Sequence, residues 1–157
     1  MTTSVLTSRP RGDRLANMNY FAYGSNMDVD QMGVRCPGAL FVGRASLAEQ
    51  EFRINTHGVA TVIPANGSEV HGVLWEIAPA HEASLDRYEG VASGFYRKAM
   101  VRVRVAEGSE VEALIYIAGD HRPGRARPSY MERVLAVAAR HSLPAGYVAS
   151  LRRLDSV

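Results

Sequence analysis

The sequence predicts a mixed α+β domain, in which a small, curled or barrel-like β-sheet has a few helices packed over it. Apolar runs rich in Val, Ile, Leu and aromatic residues follow one another between residues 18 and 118, separated by turn residues. In a few segments the apolar spacing changes to that of a helix. A chain of 157 residues is also long enough to bury a single core.

The composition is typical of a globular domain, with 46% hydrophobic and 22% charged residues. The first residues carry little periodic signal, so we predict a flexible tail over 1–17 and one domain over 18–157. The lone Cys36 excludes an internal disulfide, and neither a membrane-spanning run nor a secretion signal is apparent. These features predict a cytoplasmic protein without membrane contact. The oligomeric state stays open, a homodimer included.

The charge pattern argues against a nucleic-acid partner. The formal net charge is only +2, and the basic residues are scattered except in the run from His121 to Arg127, His-Arg-Pro-Gly-Arg-Ala-Arg. We interpret this run as a solvated, mobile loop. The alternative is a loop that guides an anionic substrate.

Seven strands are predicted from the apolar runs. Residues 18–23 are almost wholly apolar, as in a strand buried on both faces. Turn residues such as Asn66-Gly67-Ser68 separate the next four strands, which we place at 39–47, 51–55, 59–64 and 70–77. The last two, 96–105 and 111–118, are joined by Glu107-Gly108-Ser109.

Helices are predicted in four segments. Residues 28–36 begin with acidic residues and end near Arg35, the charge order that a helix prefers, and Pro37-Gly38 follows. Residues 79–89 start with a proline, and Gly90 lies where the helix would end. Residues 129–141 and 146–154 have the apolar spacing of amphipathic helices.

The first chemically informative stretch is the turn Tyr23-Gly24-Ser25-Asn26 after the first strand. A glycine turn between a strand and a helix exposes successive backbone N–H groups, and the following helix adds partial positive charge. Anionic oxygen would be stabilised there. An ordinary strand-to-helix connection can use the same residues, so the turn by itself leaves both interpretations open.

The second stretch surrounds Glu89, at the predicted end of a helix and close to Val91, Phe95 and Tyr96. The negative end of a helix and apolar neighbours both disfavour a charged carboxylate, so its pKa is expected to rise. Such a group can act as a base near neutral pH. The alternative is a surface glutamate that happens to precede a helix-ending glycine.

Other reactive side chains indicate no second site. Ser25 lacks the Gly-x-Ser-x-Gly surroundings of a hydrolase nucleophile, and Cys36 beside an apolar segment is expected to be packed. The five histidines show no metal-ligand spacing. We therefore predict no metal and no cofactor.

Taken together, Tyr23-Gly24-Ser25-Asn26 and the pattern Asp86-x-x-Glu89-Gly90 resemble the γ-glutamylcyclotransferase family, which includes the AIG2-like proteins. The likeness extends to Arg35-Cys-Pro-Gly-Ala39, to the strands at 58–64 and 70–75, and to the C-terminal helices. It covers residues 19–154 in family order. The chain departs from the family around Tyr130, which follows Ser129 directly, and at Val137 and Ser142.

The resemblance implies cleavage of a small-molecule γ-glutamyl amide without water. The substrate's own α-amine attacks the γ-carbonyl, and 5-oxoproline and a free amine are released. Glu89 would be the catalytic proton carrier. Tyr23, Gly24, Ser25, Asn26 and Tyr130 would bind the substrate, the loop amides holding either the developing oxyanion or the α-carboxylate.

Two other classes remain open from the sequence. One is a protein that binds a small carboxylate without turnover, and the other is a water-using amidohydrolase on the same fold. Within the favoured class, γ-glutamyl amines, amino acids and modified metabolites are all candidate substrates.

Overall fold

The computed structural model describes residues 17–155. The predicted tail over 1–17 lies outside these residues except for Asn17. Five strands are described, β1 (Met18–Ala22), β2 (Leu40–Ile54), β3 (Ala60–Ile77), β4 (Tyr96–Val105) and β5 (Glu110–Ala118). Four α-helices accompany them, α1 (Val29–Arg35), α2 (Pro79–Tyr88), α3 (Tyr130–Arg140) and α4 (Ala145–Asp155), and a short 3-10 helix covers Ser25–Met27.

The strands close into a barrel in the order β1-β3-β2-β4-β5. The pairs are antiparallel except for β1 and β5, which run parallel and meet at Tyr20 and Leu114. This mixed, closed sheet with helices packed against it confirms the predicted fold class. None of the helices described in residues 17–155 has both the length and the apolar content needed to cross a membrane.

The prediction of four short strands between the first two helices is wrong, because they merge into the long strands β2 and β3. The register shifts between Ala48 and Gln50, and Glu49 there has a φ of 62°. The predicted turn residues around Gly67 lie inside β3, opposite this irregularity, and the Gly67 amide donates to the Glu49 carboxylate at 3.0 Å. A β-bulge can contain residues that are common in turns while the strands on either side of it stay paired. The turn-type residues around Gly67 therefore did not mark the end of a strand.

The buried strand β1 positions the pocket described below. Phe21 and Ala22 are fully enclosed, and β3 approaches β1 so closely that a Cβ at Gly72 would clash with the Ala22 carbonyl. The chain leaves β1 at Tyr23 and enters the 3-10 helix, while α2 brings its C-terminal end to the same side of the barrel. Two segments 63 residues apart therefore meet where β1 ends.

Candidate active site

All six residues predicted for the site line one small pocket at the end of β1. The structure brings Glu89 and Tyr130 to the loop of Tyr23, Gly24, Ser25 and Asn26. Four further residues complete the lining, namely Tyr20, Ala60, Tyr96 and Tyr116. The pocket thus combines a carboxyl group, a loop backbone and five tyrosine rings.

Glu89 follows the last residue of α2 and is its C-cap. Its amide donates to the Leu85 carbonyl at 2.8 Å, and Gly90 follows with a φ of 66°, a left-handed conformation that favours glycine. The side chain is 15% exposed. Burial raises the pKa of the carboxyl above its ordinary value, while Arg35 and a hydrogen bond from Asn26 oppose that rise. The direction agrees with the sequence expectation, and burial in the pocket is its main cause.

Asn26 contributes its side chain as well as its backbone. The buried amide donates from Nδ2 to the Tyr20 hydroxyl at 2.8 Å and to Glu89 Oε2 at 3.3 Å. Its Oδ1 accepts from Gln31 at 2.8 Å and from Arg35 at 3.1 Å. The indole of Trp75 donates to its backbone carbonyl at 3.0 Å. These bonds set the orientation of the amide, a role that the motif alone did not reveal.

The loop backbone differs from the expected strand-to-helix turn. Residues Ser25–Met27 form the 3-10 helix, and α1 starts only afterwards, with Asp28 accepting from the Asp30 amide at its N-terminus. The positive end of α1 therefore faces Asp28 and not the pocket. Within residues 17–155 the amides of Ser25 and Asn26 have no hydrogen-bond acceptor, so they remain available to a ligand oxygen.

Gly24 lies where the loop approaches α3. A Cβ built on it would come within 3.0 Å of the Tyr130 hydroxyl and 3.5 Å of the Ala60 Cβ. Any larger residue would push against this wall of the pocket. A side chain at position 24 would therefore require the Tyr130 hydroxyl to shift by a few tenths of an ångström.

The two predicted tyrosines differ in what they can offer a ligand. The Tyr23 hydroxyl donates its proton to the Tyr116 carbonyl at 2.6 Å, which leaves only its oxygen as an acceptor. The Tyr130 hydroxyl accepts from the Ala60 amide at 3.2 Å, so its own proton can point into the pocket. Burial raises the pKa of both phenols, which keeps them neutral.

Sequence reasoning missed Tyr20, Tyr96, Tyr116 and Arg35. Tyr96 donates to the Ala60 carbonyl at 2.5 Å and Tyr116 to Asp86 at 2.7 Å, so both hydroxyls are held by the protein itself. Tyr20 could have been suspected, because it lies in the same aromatic strand as Tyr23. Tyr96 lies close to Glu89 in the sequence and Arg35 lies in the Arg35-Cys-Pro-Gly-Ala39 motif, whereas Tyr116 comes from a distant strand and left no local signal.

The other reactive side chains considered in the sequence add no second site. Cys36 is buried, and burial raises the pKa of its thiol to about 11, as expected for a packed cysteine. Ser25 accepts a hydrogen bond from Gln31 at 2.8 Å. Across residues 17–155 no cluster of three or more His, Cys, Asp or Glu side chains could hold a metal ion.

The basic run at 121–127 is exposed at most positions, but its backbone is anchored. Gly124 donates to the Ile54 carbonyl at 2.8 Å, and the Arg127 amide donates to the Gly58 carbonyl at 3.0 Å. The Arg127 side chain donates to the His57 carbonyl at 2.9 Å. The segment is a solvated loop fastened to the β2–β3 connection.

The fold and site define a class of protein, a five-stranded barrel with helices and one buried carboxyl facing a backbone loop. Comparison with known proteins is consistent with this class. The model of the AIG2-like family matches residues 69–151. The chain is 31% identical over 148 residues to the human gamma-glutamylcyclotransferase, covering 87% of this chain and 78% of that protein. The chain is 30% identical to the mouse gamma-glutamylcyclotransferase, again covering 87% of this chain and 78% of that protein.

Solved structures extend the likeness. A structure described as gamma-glutamyl cyclotransferase superposes with a TM-score of 0.82 at 30% identity, covering 88% of each chain. YkqA from Bacillus subtilis superposes with a TM-score of 0.77 at 25% identity, covering 97% of this chain and 56% of that one. The chain belongs to the AIG2-like family, and the family resemblance seen in the sequence is confirmed.

Proposed function

We propose that this protein is a γ-glutamylcyclotransferase, which converts a γ-glutamyl amine, amide or peptide into 5-oxoproline and a free amine. One observation carries the proposal. A buried carboxyl, Glu89, lines the same pocket as Ser25 and Asn26, whose backbone amides are unpaired, in a chain about 30% identical to proteins of that name.

The reaction needs a base more than it needs a nucleophile. At neutral pH the substrate's α-amine is an ammonium ion and cannot attack. Glu89 as a carboxylate accepts its proton, and the freed amine forms a bond to the γ-carbonyl carbon. When the bond from that carbon to the leaving nitrogen breaks, Glu89 returns the proton to the leaving nitrogen. The ring nitrogen then gives its second surplus proton to Glu89, which passes it to the released amine, so the products are 5-oxoproline and an ammonium ion. The atoms balance with no water consumed, and a raised pKa suits a carboxyl that must both take and give a proton.

Binding supplies the proximity that the reaction requires. A pocket that folds the γ-glutamyl arm brings the amine to the carbonyl carbon before reaction, and well-oriented intramolecular reactions gain up to about 7–11 kcal/mol this way. The small pocket is lined by five tyrosine rings, which would favour a compact conformation of a bound γ-glutamyl arm. No covalent enzyme intermediate is needed.

The loop amides and Tyr130 are the proposed substrate donors. The Ser25 and Asn26 amides offer two N–H groups, and the Tyr130 hydroxyl offers a third donor nearby. They would hold either the developing oxyanion or the α-carboxylate. We also propose a cytoplasmic location, since the single Cys36 needs no oxidising compartment.

A product assay tests this function. The protein is incubated with a panel of γ-glutamyl amino acids and γ-glutamyl amines, and products are identified by mass. We expect 5-oxoproline and the free amine in equal amounts. Free glutamate would indicate a water-using amidohydrolase instead. Binding without any product would indicate a passive carboxylate-binding protein, and either result would overturn the proposal.

A further inference from the structure

We infer that Arg35 is a positioning residue for Glu89. Arg35 acts on Glu89 through the side-chain amide of Asn26. This inference rests on the proposed function, because it assigns the support of the same carboxyl. Arg35 lies in the last turn of α1 and does not belong to the pocket lining.

The distances show an indirect arrangement. Arg35 Nη1 lies 3.1 Å from Asn26 Oδ1, within hydrogen-bond range, but 3.9 Å from Glu89 Oε2, beyond it. The guanidinium also lies 4.4 Å from the centre of the Tyr88 ring, next to Glu89 in the chain. The Arg35 guanidinium therefore lies between the Asn26 amide oxygen and the Tyr88 ring, without a direct hydrogen bond to the Glu89 carboxyl.

The amide of Asn26 can point in only one direction under these contacts. Its oxygen accepts from both Gln31 and Arg35, so its NH2 group must turn towards Glu89 and Tyr20. Without Arg35 the oxygen keeps one donor, and the preference for this orientation weakens. Arg35 thus helps to aim the N–H that holds the carboxyl.

The same arrangement leaves one carboxyl oxygen free. Asn26 and Arg35 both approach Oε2 of Glu89, while Oε1 has no hydrogen-bond partner among residues 17–155. A direct Arg–Glu bidentate pair would occupy both oxygens and hold the carboxyl ionised. Support through Asn26 fixes the group and leaves Oε1 for the substrate's ammonium proton.

Arg35 is also the charged side chain that acts on Glu89 from the surrounding elements. The other titratable groups facing the pocket are neutral phenols from β1, the loop, β4, β5 and α3, namely Tyr20, Tyr23, Tyr96, Tyr116 and Tyr130. Burial raises the pKa of Glu89 and Arg35 opposes that rise. Removing the cation should therefore raise the pKa of Glu89 further.

Three variants test the inference. Arg35→Met keeps the apolar stem but removes charge and donors, Arg35→Lys keeps the charge without the planar fork, and Arg87→Met is a matched control on an exposed arginine of α2. For Arg35→Met we expect kcat at pH 7 to fall about tenfold or more, with KM changed much less. The acid limb of the kcat/KM profile should move to higher pH, so activity recovers partly in alkaline buffer.

Arg35→Lys should separate the two effects, with the acid limb near its wild-type position and kcat still reduced. Arg87→Met should match wild type in both. If Arg35→Met and Arg35→Lys both leave kcat and the acid limb unchanged, the inference is wrong. If Arg35→Met does not fold, a loss of kcat in Arg35→Lys with an unchanged melting temperature supports it, and wild-type kcat in that variant overturns it.

A second readout does not depend on turnover. Carbon-13 NMR of side-chain carboxyls follows the titration of Glu89 in the ligand-free protein, with Glu89→Gln identifying its signal. We expect a higher titration midpoint in Arg35→Met than in wild type, and an unchanged midpoint would overturn the inference. Failure of the proposed function is distinct, because wild type would then form no 5-oxoproline whatever Glu89 does in the titration.

Discussion

Two of the carboxyl groups that lie near arginines, Glu89 and Asp120, behave in opposite ways. The Glu89 side chain in the pocket is 15% exposed, and the Asp120 side chain, which is paired with Arg122, is 12% exposed. Burial raises the pKa of Glu89, whereas hydrogen bonds from Arg122 and Thr56 hold the pKa of Asp120 well below its usual range. The exposure of the carboxyl itself therefore does not decide its protonation.

The two carboxyl groups differ in how exposed the neighbouring arginine is and in whether that arginine bonds directly to the carboxyl. Arg122 donates directly to Asp120 at 2.8 Å and is itself 74% exposed, so the side chain that shields Asp120 is largely solvated. Arg35 stays 3.9 Å from Glu89, donates to Asn26 instead, and is 24% exposed. A direct charge-assisted hydrogen bond keeps a carboxyl group ionised. A cation that is linked to a buried carboxyl only through another side chain leaves that carboxyl able to exchange a proton.

The largest expected effect comes from neutralising each acid in turn. Glu89→Gln should lower kcat by roughly 10²–10⁴-fold, because the proton carrier is lost while the shape is kept. Asp120→Asn should leave kcat close to wild type, since Asp120 is not part of the pocket lining. Both are measured by 5-oxoproline formation, with circular dichroism as the folding control. Substantial turnover in Glu89→Gln would refute the role of Glu89.

A second prediction concerns the wall opposite Glu89. Gly24→Val adds a branched side chain at a position where the Cβ alone would lie 3.0 Å from the Tyr130 hydroxyl, so the loop or the ring must move. We expect kcat/KM to fall roughly 10²-fold through misplacement of the substrate. Gly33→Val in α1 is the control, because a Cβ at that position would meet no heavy atom within 4 Å apart from its chain neighbours and the backbone of its own helix. Equal kinetics in the two variants would mean that the loop is only a connector.

The pH dependence of turnover sharpens the comparison further. Glu89 must be ionised to accept the ammonium proton and its pKa is raised, so the acid limb of kcat/KM should lie above the ordinary glutamate value. Asp120→Asn should leave the limb in place. An acid limb at or below the ordinary value would show that the group limiting the rate is not a buried Glu89.

The smallest effect is expected in thermal stability. Neutralising Glu89 and neutralising Asp120 should change the melting temperature in opposite directions. A raised folded-state pKa means that the contribution of Glu89 is greatest below its unfolded value and is lost as pH rises through the folded value. Glu89→Gln should therefore melt above wild type at neutral pH, with the gap closing as pH falls.

For Asp120 the lowered pKa means that its contribution is present above the unfolded value and is lost as pH falls through the folded value. Asp120→Asn should melt below wild type at neutral pH, with that gap also closing in acid. Thermal unfolding at several pH values measures both differences, and gaps of the same sign would contradict the assignment of the two environments.

The fold was predicted well where the signal was local. The helices at 28–36, 79–89 and 129–141 and the strands at 96–105 and 111–118 match α1, α2, α3, β4 and β5 within about a residue at each end. The strand count failed around Glu49 and Gly67, because a bulge uses the same residue types as a turn and only strand pairing tells them apart.

The sequence by itself determined the order of elements, the Gly24 loop and the acid at the end of α2, because periodicity, glycine turns and helix ends are set by residues a few positions apart. Only the tertiary structure decided that Arg35 supports Asn26, that Tyr20 and Tyr96 join the pocket, and that the positive end of α1 faces Asp28. Those contacts depend on how the barrel closes and which way each side chain turns, and no short stretch of the chain carries that information.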